Sequence, residues 1–271
     1  MHYKILFLDI DGTLLNSGGQ ITPATRRAIA TLQKNEVPVV LASGRPHGGM
    51  LHLADTLALS AHRSYIISFN GGKIVDLHRN VVLHEQCMPQ AQAAQVFALA
   101  KQLGLAVMTY NEEGIVTEFP DNPYVRHEQK ITQLPFVPFD GNPQTLQFPM
   151  HKCLVVGETE RLIAAEQVFR DTLGTQITVC RSSPVFLEVT PRGVDKAAGI
   201  SILLQTLGID AADAVACGDG FNDVPMLCLA GLGVALANAP QGVKDAAKLV
   251  VRSNDEDGVA QAIATAWSAL F

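Results

Sequence analysis

Two carboxylates stand two residues apart directly after a short apolar run, in Ile5-Leu6-Phe7-Leu8-Asp9-Ile10-Asp11-Gly12-Thr13. Once the backbone turns, Asp9 and Asp11 reach one cleft. Their mutual repulsion is costly unless a cation lies between them or one stays protonated. Such a pair can divide the work, one Asp as nucleophile and the other as acid and then base. The same residues also suit a plain turn, since Asp-Gly is a common turn dipeptide. Gly218-Asp219-Gly220-Phe221-Asn222-Asp223 adds two more carboxylates after another apolar run. Four aspartates brought to one cleft demand a counter-cation, and oxygen-only ligation favours Mg2+. Two weaker patterns complete the set. Ser43-Gly44-Arg45-Pro46 offers a hydroxyl and main-chain amides for an anion at a helix start, or a simple cap. Lys196, in Arg192-Gly193-Val194-Asp195-Lys196, is either a solvated surface lysine or a charge facing aspartates and phosphate.

These residues need a scaffold, and the apolar runs supply one. Ile5–Leu8 is wholly apolar, as expected of a strand buried on both faces of a parallel sheet. Runs 37–42, 65–69 and 214–217 follow the same pattern, each ending in a polar loop that contains glycine. Ligands gather beyond the carboxyl ends of strands in open α/β sheets, so four such ends imply one shared site. Thr22-Pro23 reads as an N-cap followed by proline at the first helical position, opening a helix to about Asn35. The middle of the chain differs, with helices expected over 89–103 and 158–173 and strands over 105–110, 153–156 and 176–180. Between them lies a section interrupted by Pro120, Pro123, Pro135, Pro138, Pro143 and Pro149. The expected architecture is a doubly wound, Rossmann-like α/β core over 1–82 and 188–271, with an inserted α+β domain over 83–187.

Bulk properties narrow the function. The 271 residues suffice for two domains, and 48% hydrophobic against 17% charged residues suits a globular protein with ample core. A net charge of −6 excludes a broad phosphate-neutralising surface, so nucleic acid is not the expected partner. The five cysteines are odd in number and form no Cys-x-x-Cys pair, which fits buried thiols in a reducing compartment. No run of about 18 apolar residues occurs, so neither a membrane span nor a membrane partner is expected, and the cytoplasm is the expected location.

Taken together and in this order, the four motifs resemble those of the haloacid dehalogenase superfamily: Asp9 to Thr13, then Ser43, then Lys196, then Gly218 to Asp223. The 31 residues between Asp11 and Ser43 leave no room for an inserted domain, whereas the 152 between Ser43 and Lys196 do. That spacing, Asn70-Gly71-Gly72 and Pro184 to Val189 resemble the Cof-type members with a C2-type cap. The resemblance implies phosphomonoester hydrolysis through an aspartyl-phosphate on Asp9, with Asp11 as acid and then base. It implies Mg2+ held by Asp9, the Asp11 carbonyl and Asp219, with Asp223 acting through a bound water. The transferring phosphoryl group would be bound by Ser43, Lys196, Asn222 and the amides of Ile10 and Gly44.

The implied substrate is a small phosphorylated metabolite, a sugar phosphate first. Pyridoxal phosphate, flavin mononucleotide or a phosphomutase reaction are the alternatives. A dehalogenase would not need Asp11 or the metal cluster, and a phosphate-sensing protein would not need an intact catalytic set. In the cap, Asn111, Glu112, Glu113, Asn122 and Arg126 are polar groups able to read a leaving group. His127 and His151 could touch substrate, but solvated or packing roles suit them better.

Overall fold

The computed structural model describes residues 3–271. The chain divides into two compact units, residues 1–84 with 195–271, and residues 85–194. Among the described residues, eight strands form the sheet of the first unit, the last ending one residue past its boundary. Their order across it is Leu249–Val251, Leu232–Leu236, Ala214–Gly218, Ile5–Leu8, Val39–Ala42, Ser64–Ser68, Lys73–Asp76, Val81–Glu85. The first six run parallel, and Lys73–Asp76 turns back antiparallel to Ser64–Ser68.

All four residues of Ile5–Leu8 are buried, because helices cover both faces of the strand. Leu6 and Leu8 join one apolar cluster with Ile29, Leu32 and Trp267, while Ile5 and Phe7 join another with Ile200 and Leu203. Ile5–Leu8 lies between Ala214–Gly218 and Val39–Ala42, and the chain winds outward from it in both directions. Its carboxyl end is thus the switch point at which such sheets open a crevice. Helix Pro23–Lys34 starts as its cap residue dictates, with the Thr25 amide donating to Thr22 Oγ1 at 3.2 Å.

The second unit has a six-stranded sheet, ordered Ile177–Ser183, Phe186–Pro191, Cys153–Val156, Ala106–Tyr110, Ile115–Thr117, Phe136–Pro138. All its pairings are antiparallel except the last. Helices Gln90–Gln102 and Thr159–Leu173 bury Val96, Phe97, Leu162 and Phe169 with Val107, Val155 and Leu187 of the strands. The structure adds two details. The return to the first unit comes at 194/195 rather than 187/188, because Phe186–Pro191 is hydrogen-bonded between two strands of the second sheet. The proline-interrupted section also holds a helix, Pro123–Thr132, whose start is set by Asn122 accepting from the Tyr124 and Val125 amides.

Candidate active site

Asp9 leaves the carboxyl end of Ile5–Leu8 with its amide still donating to the Cys217 carbonyl of the neighbouring strand, 3.0 Å away. The chain then folds into a tight turn, with the Leu14 amide on the Asp9 carbonyl and the Leu15 amide on that of Ile10. Gly12 makes this turn possible. Its φ is +81°, and a Cβ there would run into the Asp219 carboxylate.

Lys196 opens helix Lys196–Leu207, capped by Asp195, whose side chain accepts from the Ala198 amide at 2.8 Å. Only 1% exposed, its Nζ lies 2.5 Å from Asp9 Oδ1 and 2.5 Å from Asp223 Oδ1. The far oxygen of Asp223 accepts from the Asp219 and Gly220 amides at 3.0 and 2.8 Å, so its carboxylate is fixed at both ends. Asp219 accepts from Thr13 Oγ1 at 2.7 Å. Asn238 Nδ2 lies 3.3 Å from the other Asp219 oxygen and 2.8 Å from the Gly12 carbonyl, tying the two loops together.

Carboxylate oxygens of Asp9, Asp219 and Asp223 lie within 4.8 Å of one another. Three carboxylates against one ammonium leave two negative charges uncompensated, and the electrostatics record it. Burial, and then the Asp223 charge, push Asp9 up to about 8 despite Lys196. Burial raises Asp219 to about 6, against the Thr13 hydroxyl. Lys196 moves the other way: burial opposes its charge, but Asp9 and Asp223 more than offset this and hold it protonated. A divalent cation bound by oxygen alone fits this donor set.

The Asp11 side chain is not in the cluster, contrary to the expected convergence of four aspartates. It turns to Arg45, whose Nε and Nη2 grip its two oxygens at 2.8 and 2.6 Å. Arg45 is buried and Asp11 exposed, so the guanidinium is the anchor. Ser43 is buried at the end of Val39–Ala42. Its amide donates to the Ile67 carbonyl and its hydroxyl accepts from the Arg45 amide at 3.2 Å. Gly44 lies between them, where a Cβ would come within 3.0 Å of the Asn70 amide group. Ile10 is buried behind Asp9, and Asn222 is exposed in the turn before Asp223. Arg45, Thr13 and Asn238 had no role in the sequence reading. The first two stood inside quoted motifs, but nothing in the sequence marks Asn238, which acts across the fold.

Residues 6–263 match the family model described as haloacid dehalogenase-like hydrolase. The chain belongs to this family. Among solved structures, a haloacid dehalogenase-like hydrolase from Bacteroides thetaiotaomicron superposes with a TM-score of 0.94 at 37% identity, covering 97% of this chain and 99% of that one. "Putative phosphatase YxeH" of Bacillus subtilis (strain 168) is 32% identical over 96% of this chain and 97% of its own. The 5-amino-6-(5-phospho-D-ribitylamino)uracil phosphatase YcsE of the same strain is 29% identical over 96% and 94%. This Cof-type haloacid dehalogenase-like hydrolase is therefore an enzyme of the phosphatase type.

The polar residues of the insertion meet partners within their own unit. Asn111 accepts from the Glu113 and Gly114 amides of its own turn, and Asn122 caps its own helix. Arg126 pairs with Asp121 on the surface. His127 packs against Phe186, with ring centroids 5.6 Å apart, and buried His151 meets Glu85.

Proposed function

We propose that this enzyme hydrolyses small phosphomonoesters in two phosphoryl transfers through Asp9. The observation that carries this reading is the convergence of Asp9, Asp219 and Asp223 on one buried lysine. Mg2+ held by Asp9, Asp219 and the Asp11 carbonyl, with Asp223 behind a bound water, would supply the charge that keeps Asp9 ionised and neutralises the phosphoryl oxygens.

In the first transfer Asp9 attacks phosphorus, a phosphorus–oxygen bond to the leaving group breaks, and Asp11 gives its proton to the departing alkoxide. In the second, water attacks the same phosphorus and loses a proton to Asp11. The bond to Asp9 breaks, and inorganic phosphate leaves. Arg45 orients Asp11, and one carboxylate oxygen must leave the guanidinium fork before it can carry the proton. Lys196 neutralises charge beside Asp9. Ser43, Asn222 and the amides of Ile10 and Gly44 are the proposed phosphoryl contacts, since they flank Asp9 on neighbouring strand ends.

The leaving group we favour bears hydroxyls, as a sugar phosphate does. The name of YcsE puts its phosphate on a ribityl chain, a hydroxyl-rich group of the same kind. A cytoplasmic setting fits the five free cysteines. The test is phosphate release across sugar phosphates, pyridoxal phosphate and flavin mononucleotide, with Mg2+ present, and acid-quenched enzyme assayed for phosphate bound to Asp9. Release that proceeds without a phosphorylated protein would overturn the mechanism.

A further inference from the structure

Away from the aspartate cluster, the second unit brings together three donors of another chemistry. Met88 and Met150 form an isolated antiparallel bridge, the Met88 amide donating to the Met150 carbonyl at 2.7 Å. Both methionines are buried in the apolar cluster of that unit. One step further along the bridge, Cys87 stands opposite His151. Glu85, two residues back, shares a side with Cys87 because side chains alternate along extended chain. His151 Nε2 lies 2.9 Å from Glu85 Oε1 and 3.7 Å from Cys87 Sγ, and the three donor atoms all fall within 4.8 Å of one another.

We propose that Glu85, Cys87 and His151 form a second metal centre, for a borderline-soft divalent ion such as Zn2+. A divalent cation between them would be shared by all three donors. In a tetrahedral zinc site, ligand bonds of about 2.0 to 2.3 Å set neighbouring donors roughly 3.3 to 3.6 Å apart, a range that the 2.9 and 3.7 Å separations from His151 Nε2 bracket. The donor set of sulfur, nitrogen and oxygen prefers softer ions than the all-carboxylate cluster does, so the two centres would select different metals. His151 is buried and Glu85 exposed, so the cluster meets solvent on the Glu85 side; with three protein donors, water or an added ligand would complete a tetrahedral shell.

The test uses the full chain, stripped of metal, returned to excess Mg2+ so that the carboxylate cluster is filled, and titrated with Co2+. One equivalent should bind with a near-ultraviolet sulfur-to-cobalt charge-transfer band, and Zn2+ should abolish that band. Cys87→Ser, at a half-buried position, should lose the band and bind Co2+ at least about a hundredfold more weakly, with its thermal unfolding in Mg2+ alone unchanged. Wild-type protein that binds Co2+ without the band, or fails to bind it, overturns the proposal, as does a band that persists in Cys87→Ser.

Discussion

Two sets of polar residues, one in each unit, work to opposite ends. In the first, Asp9, Asp219 and Asp223 are held at strand ends so that their carboxylates face one another, and each is fixed by a partner from a distant segment. In the second, Asn111 and Asn122 satisfy amides two or three residues away and reach nothing distant. A polar side chain signals chemistry when long-range structure forces it against a like charge. It signals a turn when its own backbone is its partner.

The sharpest way to break this contrast is Asp9→Asn. The amide keeps the size and loses the nucleophile, so kcat should fall by at least about 10⁴-fold while folding is preserved. Turnover of p-nitrophenyl phosphate by the folded variant near the wild-type rate would remove Asp9 from the mechanism.

Metal removal should come next in size. A chelator should abolish phosphate release and added Mg2+ should restore it. Stability should respond as well. Asp9 moves from 3.8 to about 8 on folding and Asp219 from 3.8 to about 6, so the folded chain holds protons there that the unfolded chain has released. Their contribution is fully present below the unfolded value and is lost as pH rises through about 6 and then about 8. Urea unfolding without metal should therefore show stability falling across that window. Excess Mg2+ should flatten the fall, because the cation binds the folded, ionised carboxylates. A decline of equal slope with and without Mg2+ would mean that the cluster does not hold the ion.

Arg45→Ala should have an intermediate effect, lowering kcat by about 10- to 100-fold by freeing Asp11 without deleting it. Arg45→Lys should recover little, since an ammonium cannot grip both oxygens. Full activity in Arg45→Ala would leave the pair as a surface contact.

How much of this was legible follows from the same contrast. The buried strands, their polar ends and the aspartate spacing are local patterns that mark Asp9, Asp219 and Asp223, whereas Lys196 stood out only through the family resemblance. The turning of Asp11 to Arg45 was not, because a guanidinium 34 positions away decides it. Asn238 left no local trace, since it acts by joining loops 226 and 19 positions apart. In the insertion the failure was of another kind. Asn122-Pro123 carries the same cap-then-proline pattern that located helix Pro23–Lys34, but the surrounding prolines suggested an irregular segment. The register of Phe186–Pro191 depends on pairing with Cys153–Val156, which no local periodicity encodes.

The smallest expected effect tests that last reading directly. Asn122 accepts from the Tyr124 and Val125 amides at 2.9 and 3.4 Å, and helix Pro123–Thr132 buries Val125, Glu128 and Thr132. If the side chain is a cap, Asn122→Ala removes one acceptor from a helix end that has few others, at a cost of about 1 kcal/mol. Asn122→Asp keeps the acceptor and adds charge at the favourable end of the helix, so it should hold or slightly raise stability. Neither change should alter the ranking of sugar phosphates against p-nitrophenyl phosphate by kcat/KM, because a cap has no contact with the leaving group. Denaturant unfolding and a two-substrate comparison on both variants separate the roles. A lost preference for the sugar phosphate at unchanged stability would show that Asn122 reads the substrate. Asn122 would then work as the aspartates of the first unit do, and the contrast between the two sets would fail.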